Sequence, residues 1–386
     1  MIVRRASRAI AALAVLLLGA VTACGHENRP AQHLSWQSAA LPVPDGSRAL
    51  VRSATWCAGH WTVVGATADT AGNTRPAVWT STDGRTWGTV RLHPGSDYYA
   101  AREILTSVAC SQGRLAMVGA KSGGVHGTAR TATWRQRPDG SLAAVHQSYL
   151  TFGGTRAVSM NGMEGGPSGF MIAGTRTSGA AIWTSRTGAA FRLHEGLPGL
   201  ASSRSARTQA TDVVPAGRGW LVVGLSTEDD GRLAATVWTP AGPGRWLRRT
   251  LPGGDTISTA DRIVRVGSGP VVAGLLDGRF GLWRREGVAW TLEGTFGERD
   301  SDATSAAYVS GLAWTGSLVV ATYSDGTRFR LAVGGTSLDD SALPTSVAVA
   351  GDHAVSIATH GSQALLVTDD GRQGRVWLAE VPSPTS

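Results

Sequence analysis

Four arginines occupy one equivalent position in successive segments of this chain, and three tyrosines lie between those segments. The arginines are Arg48, Arg102, Arg156 and Arg207, and the tyrosines are Tyr98, Tyr99 and Tyr149. Guanidinium groups bind carboxylates and phosphates through paired hydrogen bonds, and like charges around a concave mouth attract anions. This pattern predicts a binding site for an anionic ligand. The alternative is that each arginine pairs with a local acid such as Glu103 or Asp97.

Acidic residues in the connecting segments offer a second kind of chemistry. They are Asp97, Glu195, Asp255, Asp300 and Asp302. Two carboxyl groups at a suitable separation hydrolyse glycosides, although acids in loops are usually only solvated. The nine histidines show no metal-ligand spacing, and no basic run or zinc spacing indicates nucleic acid. We therefore expect no metal, no cofactor and no nucleic-acid partner.

Aromatic pairs with an eight-residue spacing mark the elements that must position these residues. The pairs are Trp79 and Trp87, Trp183 and Phe191, and Trp238 and Trp246; Trp134 and Leu142 keep the spacing, and Trp283 and Trp290 come one residue closer. A Val-Val-Gly-like strand precedes each pair, and the whole unit recurs roughly every 50 residues, which is typical of a repeat array. We expect these aromatic residues to pack between neighbouring units.

The sequence of each unit predicts four short strands separated by turns rich in Gly, Asp and Asn. After the first unit at Arg48, we expect units to begin near Arg102, Arg156, Arg207, Ile257, Ser305 and Ser341. Seven such units predict an all-β protein, a seven-bladed β-propeller of four-stranded antiparallel blades. The segment 35–37 resembles a fourth strand, so we expect it to pair with the last blade and close the ring.

The segment from Trp79 to Trp87 resembles the Asp-box (BNR-type) hairpin of the sialidase-like β-propeller superfamily. Its Ser81, Asp83, Thr86 and Trp87 match the pattern Ser-x-Asp-x-Gly-x-Thr-Trp in a hairpin one residue shorter. Asp boxes are structural, because their oxygens accept hydrogen bonds from backbone N–H groups. The resemblance also implies a possible glycan-active hydrolase, but the early Arg-Ile-Pro signature of sialidases is absent and no tyrosine has an evident Glu partner.

The first residues resemble a bacterial lipoprotein signal peptide. Arg4, Arg5 and Arg8 precede a short apolar run that ends in Thr22-Ala23-Cys24, which resembles a lipobox. We expect cleavage after residue 23, a lipid on Cys24, a linker over 24–33 and a single propeller domain over 34–386. Cleavage removes three arginines and no acid, so the formal charge falls from +8 to +5. The Ala, Gly and Arg content favours a GC-rich genome such as that of an actinobacterium.

Two further cysteines, Cys57 and Cys110, occupy equivalent positions on adjacent units. An exported compartment permits a disulfide between them, and two buried free thiols are the alternative.

These features together predict a propeller anchored to the outer face of the cell membrane through Cys24. We expect a non-enzymatic binding or scaffold protein for an anionic envelope glycan or a partner protein. The alternative is a sialidase-like or other glycan-active hydrolase or lyase that uses loop carboxylates.

Overall fold

The computed structural model describes residues 34–123, 127–217 and 219–382. The predicted signal peptide 1–23, the lipidation site Cys24 and the linker 24–33 lie outside these residues. The described chain forms seven sheets, each built on an antiparallel meander, that follow one another in sequence, as the repeat predicts. No helix within the described ranges is long and apolar enough to cross a membrane.

The first four blades follow a short N-terminal strand, β1 (Gln37–Ala39). Blade 1 contains β2 (Arg48–Cys57), β3 (His60–Ala68), β4 (Thr74–Ser81) and β5 (Gly88–Thr89). After β6 (Leu92–His93), blade 2 contains β7 (Ile104–Ser111), β8 (Arg114–Gly123), β9 (Thr128–Gln136) and β10 (Leu142–Val145). After the short helix α1 (Tyr149–Phe152), blade 3 contains β11 (Ala157–Gly166), β12 (Gly169–Arg176), β13 (Gly179–Ser185) and β14 (Arg192–His194). Blade 4 contains β15 (Ala206–Ala216), β16 (Gly219–Glu228), β17 (Leu233–Pro240) and β18 (Trp246–Thr250).

The remaining three blades continue the same meander. Blade 5 contains β19 (Arg262–Val266), β20 (Gly269–Leu276), β21 (Arg279–Glu286) and β22 (Ala289–Glu298). Blade 6 contains β23 (Tyr308–Trp314), β24 (Val319–Ser324), β25 (Phe329–Gly334) and β26 (Leu338–Ser341). Blade 7 contains β27 (Ala354–His360), β28 (Gln363–Asp369) and β29 (Gly374–Glu380).

The N-terminal strand closes the ring, as the sequence predicts. β1 pairs antiparallel with β29, with Gln37 opposite Leu378 and Ser38 opposite Trp377, and so supplies the fourth strand of blade 7. The first strand of each blade contacts the first strands of its two neighbours, and β27 contacts β2. Each blade therefore packs between two neighbouring blades around the axis.

Two details differ from the predicted repeat. Ser341 ends β26 instead of opening blade 7, because residues 338–341 pair with Leu331–Gly334 as a fourth strand, and blade 7 begins at Ala354. The strand β6 was not expected; it pairs parallel with β10 and makes the second sheet five-stranded. The other inner strands begin within five residues of their predicted starts.

The segment of blade 1 that resembles an Asp box forms a structural turn. The Asp83 carboxylate accepts hydrogen bonds from the N–H groups of Arg85 and Thr86, each at 2.8 Å, and the Ser81 hydroxyl accepts one from Gly84 N–H at 2.8 Å. These hydrogen bonds lower the pKa of Asp83. The carboxylate is thus committed to holding the hairpin, as the resemblance implies.

The aromatic pairs form the core between blades, as their spacing predicts. The third-strand tryptophans are fully buried: Trp79, Trp134, Trp183, Trp238 and Trp283. The fourth-strand partners Trp87 and Phe191 are buried, whereas Trp246 and Trp290 are half-buried. Buried indole N–H groups need acceptors. Those of Trp79, Trp183 and Trp283 donate to backbone carbonyls of Pro42, Thr151 and Pro252.

Blade 2 replaces that carbonyl acceptor with a carboxyl group. Trp134 donates its indole N–H to Oε1 of Glu103, whose side chain is fully buried and whose Oε2 has no partner among the described residues. Burial, only partly offset by the Trp134 hydrogen bond, raises the pKa of Glu103 to about 8. The sequence hypothesis that Glu103 pairs with an arginine is therefore not supported by the contacts it makes.

The replacement Glu103→Gln should make the stability of the propeller less dependent on pH. The folded-state pKa lies above the ordinary value of 4.5, so Glu103 contributes stability fully below about pH 4.5 and loses it as pH rises through about 8. Over that window we expect the free energy of unfolding of the wild type to fall by up to about 1.4 kcal/mol per pH unit more than that of the variant. Urea unfolding at a series of pH values measures this difference. The exposed control Glu286→Gln should retain the wild-type pH dependence; parallel wild-type and Glu103→Gln curves would contradict the assignment.

Cys57 and Cys110 form a disulfide that joins blades 1 and 2. Their Cα atoms are 5.5 Å apart, and the bridge links residues 53 positions apart in the sequence. It lies where the first and second strands of each blade meet, beside the buried cluster that contains Leu115 and Leu142. Of the two alternatives left open by the sequence, the structure contains the bridge.

Replacing both cysteines by alanine should lower the free energy of unfolding by about 4 kcal/mol, because a loop of this length loses closure entropy in the unfolded chain. Guanidinium unfolding of the propeller measures the change. Reductant should destabilise the wild type to a similar extent and leave the double variant unaffected. Equal midpoints for wild type and variant would show that the bridge does not constrain the unfolded chain.

Candidate functional site

The four aligned arginines lie on one face of the ring, where the inner strands begin. Arg48 and Arg207 are in β2 and β15, while Arg102 and Arg156 immediately precede β7 and β11. The same face carries the long connections between blades, because every inner strand runs in the same direction in this topology. The alignment of the repeats therefore places the arginines at one end of the ring but on four different blades.

The arginines differ in what surrounds them. Arg48 lies 3.9 Å from the buried Asp369 of blade 7, and Arg156 lies 3.4 Å from Glu195. These two charges are thus partly neutralised, as in the alternative of pairing with acids. Arg102 instead lies over the ring of Tyr98, with its guanidinium carbon 4.1 Å from the ring centroid. Arg207 is exposed, and no hydrogen bond or ion pair to it is seen among the described residues.

A fifth arginine, Arg130 in β9, brings together two of the predicted tyrosines. Its guanidinium carbon lies 4.3 Å from the ring centroid of Tyr149 and 5.8 Å from that of Tyr99. The Nε atom of Arg130 is buried and has no hydrogen-bond partner among the described residues. We call the surrounding cavity the Tyr99–Arg130–Tyr149 pocket. It has a volume of about 250 Å³, and its wall includes Asp97, Gln147 and Phe152.

Two connections hold the tyrosines in place. In the connection before β7, Asp97 accepts hydrogen bonds from the N–H groups of Tyr99 at 2.7 Å and Ala100 at 3.1 Å. In the connection before β11, Gln147 accepts a hydrogen bond from Phe191 N–H at 2.8 Å and also donates to Thr133. Both segments are therefore tied to the blades beneath them.

The helical turn that carries Tyr149 is fixed from below. Arg176, which is 4% exposed, donates to the carbonyl of Gly153 at 2.9 Å and forms an ion pair with Glu195 at 3.2 Å. A Cβ atom at Gly153 would overlap the ring of Tyr149, so this close approach requires glycine. A Cβ atom at Gly123 would overlap the ring of Tyr99 in the same way. These glycines shape the pocket.

The sequence analysis missed Arg130 because it does not share the repeat position of the other four arginines. It lies in a third strand among small residues, Thr128 to Ala132, where alternation alone predicts an ordinary surface side chain. Its role is evident only in the folded structure, where the connections before β7 and β11 both pass close to β9. Arg130 also contributes, after hydrogen bonds from Gly154 and Thr128, to a lowered pKa of Tyr149.

The centre of the ring is a polar channel. It has a volume of about 300 Å³, and the polar residues that follow the aligned arginines line it, namely Ser53, Ser107, Asn161 and Asp212. Irregular pairing in the inner strands occurs beside these positions, for example between Val51 and Ser53 and between Ala210 and Asp212. Such bulges turn side chains away from the regular alternation and towards the axis.

Several polar residues in or next to the inner strands form hydrogen bonds with backbone groups of the neighbouring inner strand. Asp212 accepts a hydrogen bond from Ile263 N–H at 3.1 Å, and Asp261 accepts one from Val309 N–H at 2.8 Å. Asn161 donates to the carbonyl of Ala210 at 2.6 Å. Because an inner strand has no partner strand on the axis side, its backbone groups need such acceptors and donors. Burial raises the pKa of both aspartates.

Glu164 is the channel carboxyl group without such a role. It is open to water in the channel but enclosed by the surrounding blades, and this restricted hydration raises its pKa to about 8, with a further contribution from the neighbouring Asp212. Two arginines also line the channel. Arg52 pairs with Asp369 at 2.5 Å and Asp352 at 2.8 Å, and Arg262 donates to the carbonyl of Ser310 at 3.0 Å.

The loop acids named in the hydrolase alternative are mostly committed to local contacts. Asp97 and Glu195 hold the connections described above, and Asp300 accepts a hydrogen bond from Asp302 N–H at 2.9 Å. Among the described residues, the tyrosine–carboxyl hydrogen bond seen is that of Tyr323 to Asp340, at 2.6 Å, and the Tyr323 ring is buried. No group of three or more His, Cys, Asp or Glu side chains in the described part of the chain is placed to hold a metal ion.

Comparison with known proteins yields structural similarity alone. No protein-family model matches the chain, and no curated protein is similar to it. The periplasmic gluconolactonase PpgL of Pseudomonas aeruginosa is 15% identical, with a TM-score of 0.48, over 86% of this chain and 88% of that chain. The propeller domain of the Trilobed protease from Pyrococcus furiosus is 9% identical, with a TM-score of 0.49, over 86% and 93%. A protein of unknown function from Dyadobacter fermentans is 11% identical, with a TM-score of 0.45, over 89% and 98%. The chain is a seven-bladed β-propeller by its own strand topology.

Proposed function

We propose that this protein is an exported, lipid-anchored propeller that binds an anionic saccharide in the Tyr99–Arg130–Tyr149 pocket. The observation that carries the proposal is Arg130, a half-buried guanidinium held between two tyrosine rings, for which no side-chain hydrogen bond or ion pair is seen among the described residues. Its Nε atom is closed to solvent, so a ligand oxygen would accept hydrogen bonds from the terminal Nη groups. A carboxylate or phosphate group offers that oxygen together with a compensating charge.

The remaining walls suit a sugar ring. Tyr149 is 43% exposed and Tyr98 is 60% exposed, so both present aromatic surface at the rim. Aromatic side chains combine an apolar face with a polar edge, and Asp97 and Gln147 add hydrogen-bonding groups. Arg102 next to Tyr98 adds positive charge at the entrance. The pocket is small and concave, which favours a saccharide unit over the surface of a partner protein.

The location is proposed from the sequence. A lipid on Cys24 and a linker over 24–33 would hold the propeller within about 30 Å of the outer face of the membrane. Anionic envelope glycans are abundant ligands at that distance, and the formal charge of +5 after cleavage is compatible with such a surface.

The variant Arg130→Gln should weaken binding of an acidic sugar by tenfold or more, about 1.4 kcal/mol, because it removes the charge and the forked donor. Calorimetric titration of the propeller fragment 34–386, which contains every strand of the closed ring, would use methyl β-D-glucuronide, glucose 6-phosphate and neutral methyl β-D-glucoside. The first two probes distinguish a carboxylate from a phosphate, and the third should bind weakly or not at all.

Two matched controls separate the pocket from general charge. Arg114→Gln removes an exposed arginine from the opposite face of the same blade, and Arg48→Gln removes an aligned arginine of another blade. Both should keep the wild-type affinity. The proposal fails if neither acidic sugar binds, or if all three variants weaken binding equally.

A second candidate function is glycan hydrolysis in the channel. Glu164 favours it, because a carboxyl group with a pKa of about 8 stays protonated at neutral pH and can act as a general acid beside Asp212. This pair would replace the loop carboxylates considered from the sequence.

If the channel is catalytic, the propeller should release the fluorophore from a 4-methylumbelliferyl glycoside, and Glu164→Gln should abolish this release. The rate of the wild type should fall as pH rises through about 8, because the general acid is then deprotonated. Glu286→Gln, outside the channel, should leave the rate unchanged. If no glycoside of a panel releases its fluorophore while calorimetry still detects binding of acidic sugars, only the binding function is supported.

A further inference from the structure

The interface between blades 2 and 3 contains an apolar cleft, which we call the interblade cleft. Its wall combines Val118, Ala120 and Ala129 of blade 2 with Met160, Met163 and Ile172 of blade 3, and its volume is about 260 Å³. Ala120 and Met160 are only half-buried, and Ala129 is exposed. Apolar surface is therefore left open to water at a site where other parts of the same interface are sealed by Trp183 and Phe191.

The interblade cleft adjoins both polar cavities. It shares Thr106, Ser107 and Asn161 with the wall of the channel. It shares Thr131 with the wall of the Tyr99–Arg130–Tyr149 pocket. The charged pocket thus meets the apolar cleft at Thr131, and the cleft meets the polar channel at Thr106, Ser107 and Asn161.

The exposed apolar side chains of the protein are concentrated in the same sector. Among the described residues, seven large apolar or aromatic side chains are exposed, and four of them, Tyr98, Tyr149, Leu150 and Val158, belong to the two connections before blades 2 and 3 or to the start of β11. The strands at the interface carry small residues on the blade 2 side, so no protein side chain fills the cleft. An apolar concavity that no protein side chain fills can accommodate the apolar part of a ligand.

We infer that the ligand is an anionic saccharide that carries a short aliphatic substituent, an ester or glycoside of a linear chain. The acidic sugar occupies the Tyr99–Arg130–Tyr149 pocket, and the chain enters the interblade cleft past Thr131 and lies against Met160 and Met163. This inference rests on the proposed function and specifies its substrate class. Charge complementarity at Arg130 fixes the orientation, because the apolar cleft offers no partner for a carboxylate or phosphate. The flexible methionines allow chains of different shape to pack.

Binding of matched glucuronides tests the inference with the 34–386 fragment. Methyl β-D-glucuronide and hexyl β-D-glucuronide differ only in the chain, and hexyl β-D-glucoside lacks the charge. We expect the hexyl glucuronide to bind at least tenfold more tightly than the methyl glucuronide, because each methylene removed from water contributes roughly a factor of three to four. The hexyl glucoside should bind more weakly than the hexyl glucuronide, since it has no group for Arg130.

Variants at three positions separate the contribution of the cleft from that of the charged pocket. Ala120→Leu fills the cleft and should reduce the preference for hexyl over methyl to less than threefold while methyl glucuronide binds as before. Ala120→Ser keeps the volume and should retain most of the preference. Ala129→Leu provides the same test at an exposed position if the first variant does not fold. Arg130→Gln should weaken both glucuronides by a similar factor.

The outcomes are distinguishable. Equal affinities of the wild type for methyl and hexyl glucuronide would overturn the inference and leave the proposed saccharide binding intact. A hexyl preference that survives both Leu variants would also overturn it, because the chain would then lie elsewhere. Failure of both glucuronides to bind would overturn the inference together with the carboxylate form of the proposed function, and glucose 6-phosphate would then decide whether the pocket binds phosphate.

Discussion

Closure of the ring is the constraint on which the rest of the structure depends. A four-stranded blade has two apolar faces and cannot cover either by itself, so each blade is stable only between two neighbours. The pairing of β1 with β29 joins the ends of the described chain and removes the last uncovered position. The buried tryptophans of the third strands then fill the wedges between blades, and the disulfide between Cys57 and Cys110 ties the first two blades together.

Closure also leaves backbone N–H and C=O groups on the axis side of the ring that need hydrogen-bond partners. Seven inner strands surround the axis, and the side of each that faces the axis has no partner strand. Asp212, Asp261 and Asn161 supply hydrogen bonds to backbone groups of the next blade. This structural role explains why acids and amides are found in the channel without implying catalysis. Glu164 differs from them, because among the described residues no hydrogen bond from its side chain to the next blade is seen; burial and the neighbouring Asp212 raise its pKa.

The functional face is asymmetric although the blades are similar. The connections before blades 2 and 3 fold over β9 and bring Tyr99 and Tyr149 to either side of Arg130. Buried contacts hold these connections, among them Arg176 with Gly153 and Glu195. The pocket is thus a rigid feature built from two loops and one strand. Duplicated blades provide the scaffold, and differences between their connections provide the site.

The sequence by itself determined the repeat architecture, since strand periodicity, turn residues and aromatic spacing are local properties. Seven blades, the closing role of segment 35–37 and the structural role of Asp83 and Ser81 all followed from such patterns. The predicted start of the last blade, Ser341, was wrong, because the sequence pattern of a short fourth strand resembles that of a short inner strand. Only the tertiary structure decided what each arginine contacts. Arg48 and Arg156 lie close to carboxylates of distant segments. Arg102 lies over the ring of Tyr98, and Arg130 lies between two tyrosines that are 50 residues apart in the sequence. These contacts depend on how connections cross the ring, and no local pattern encodes that path.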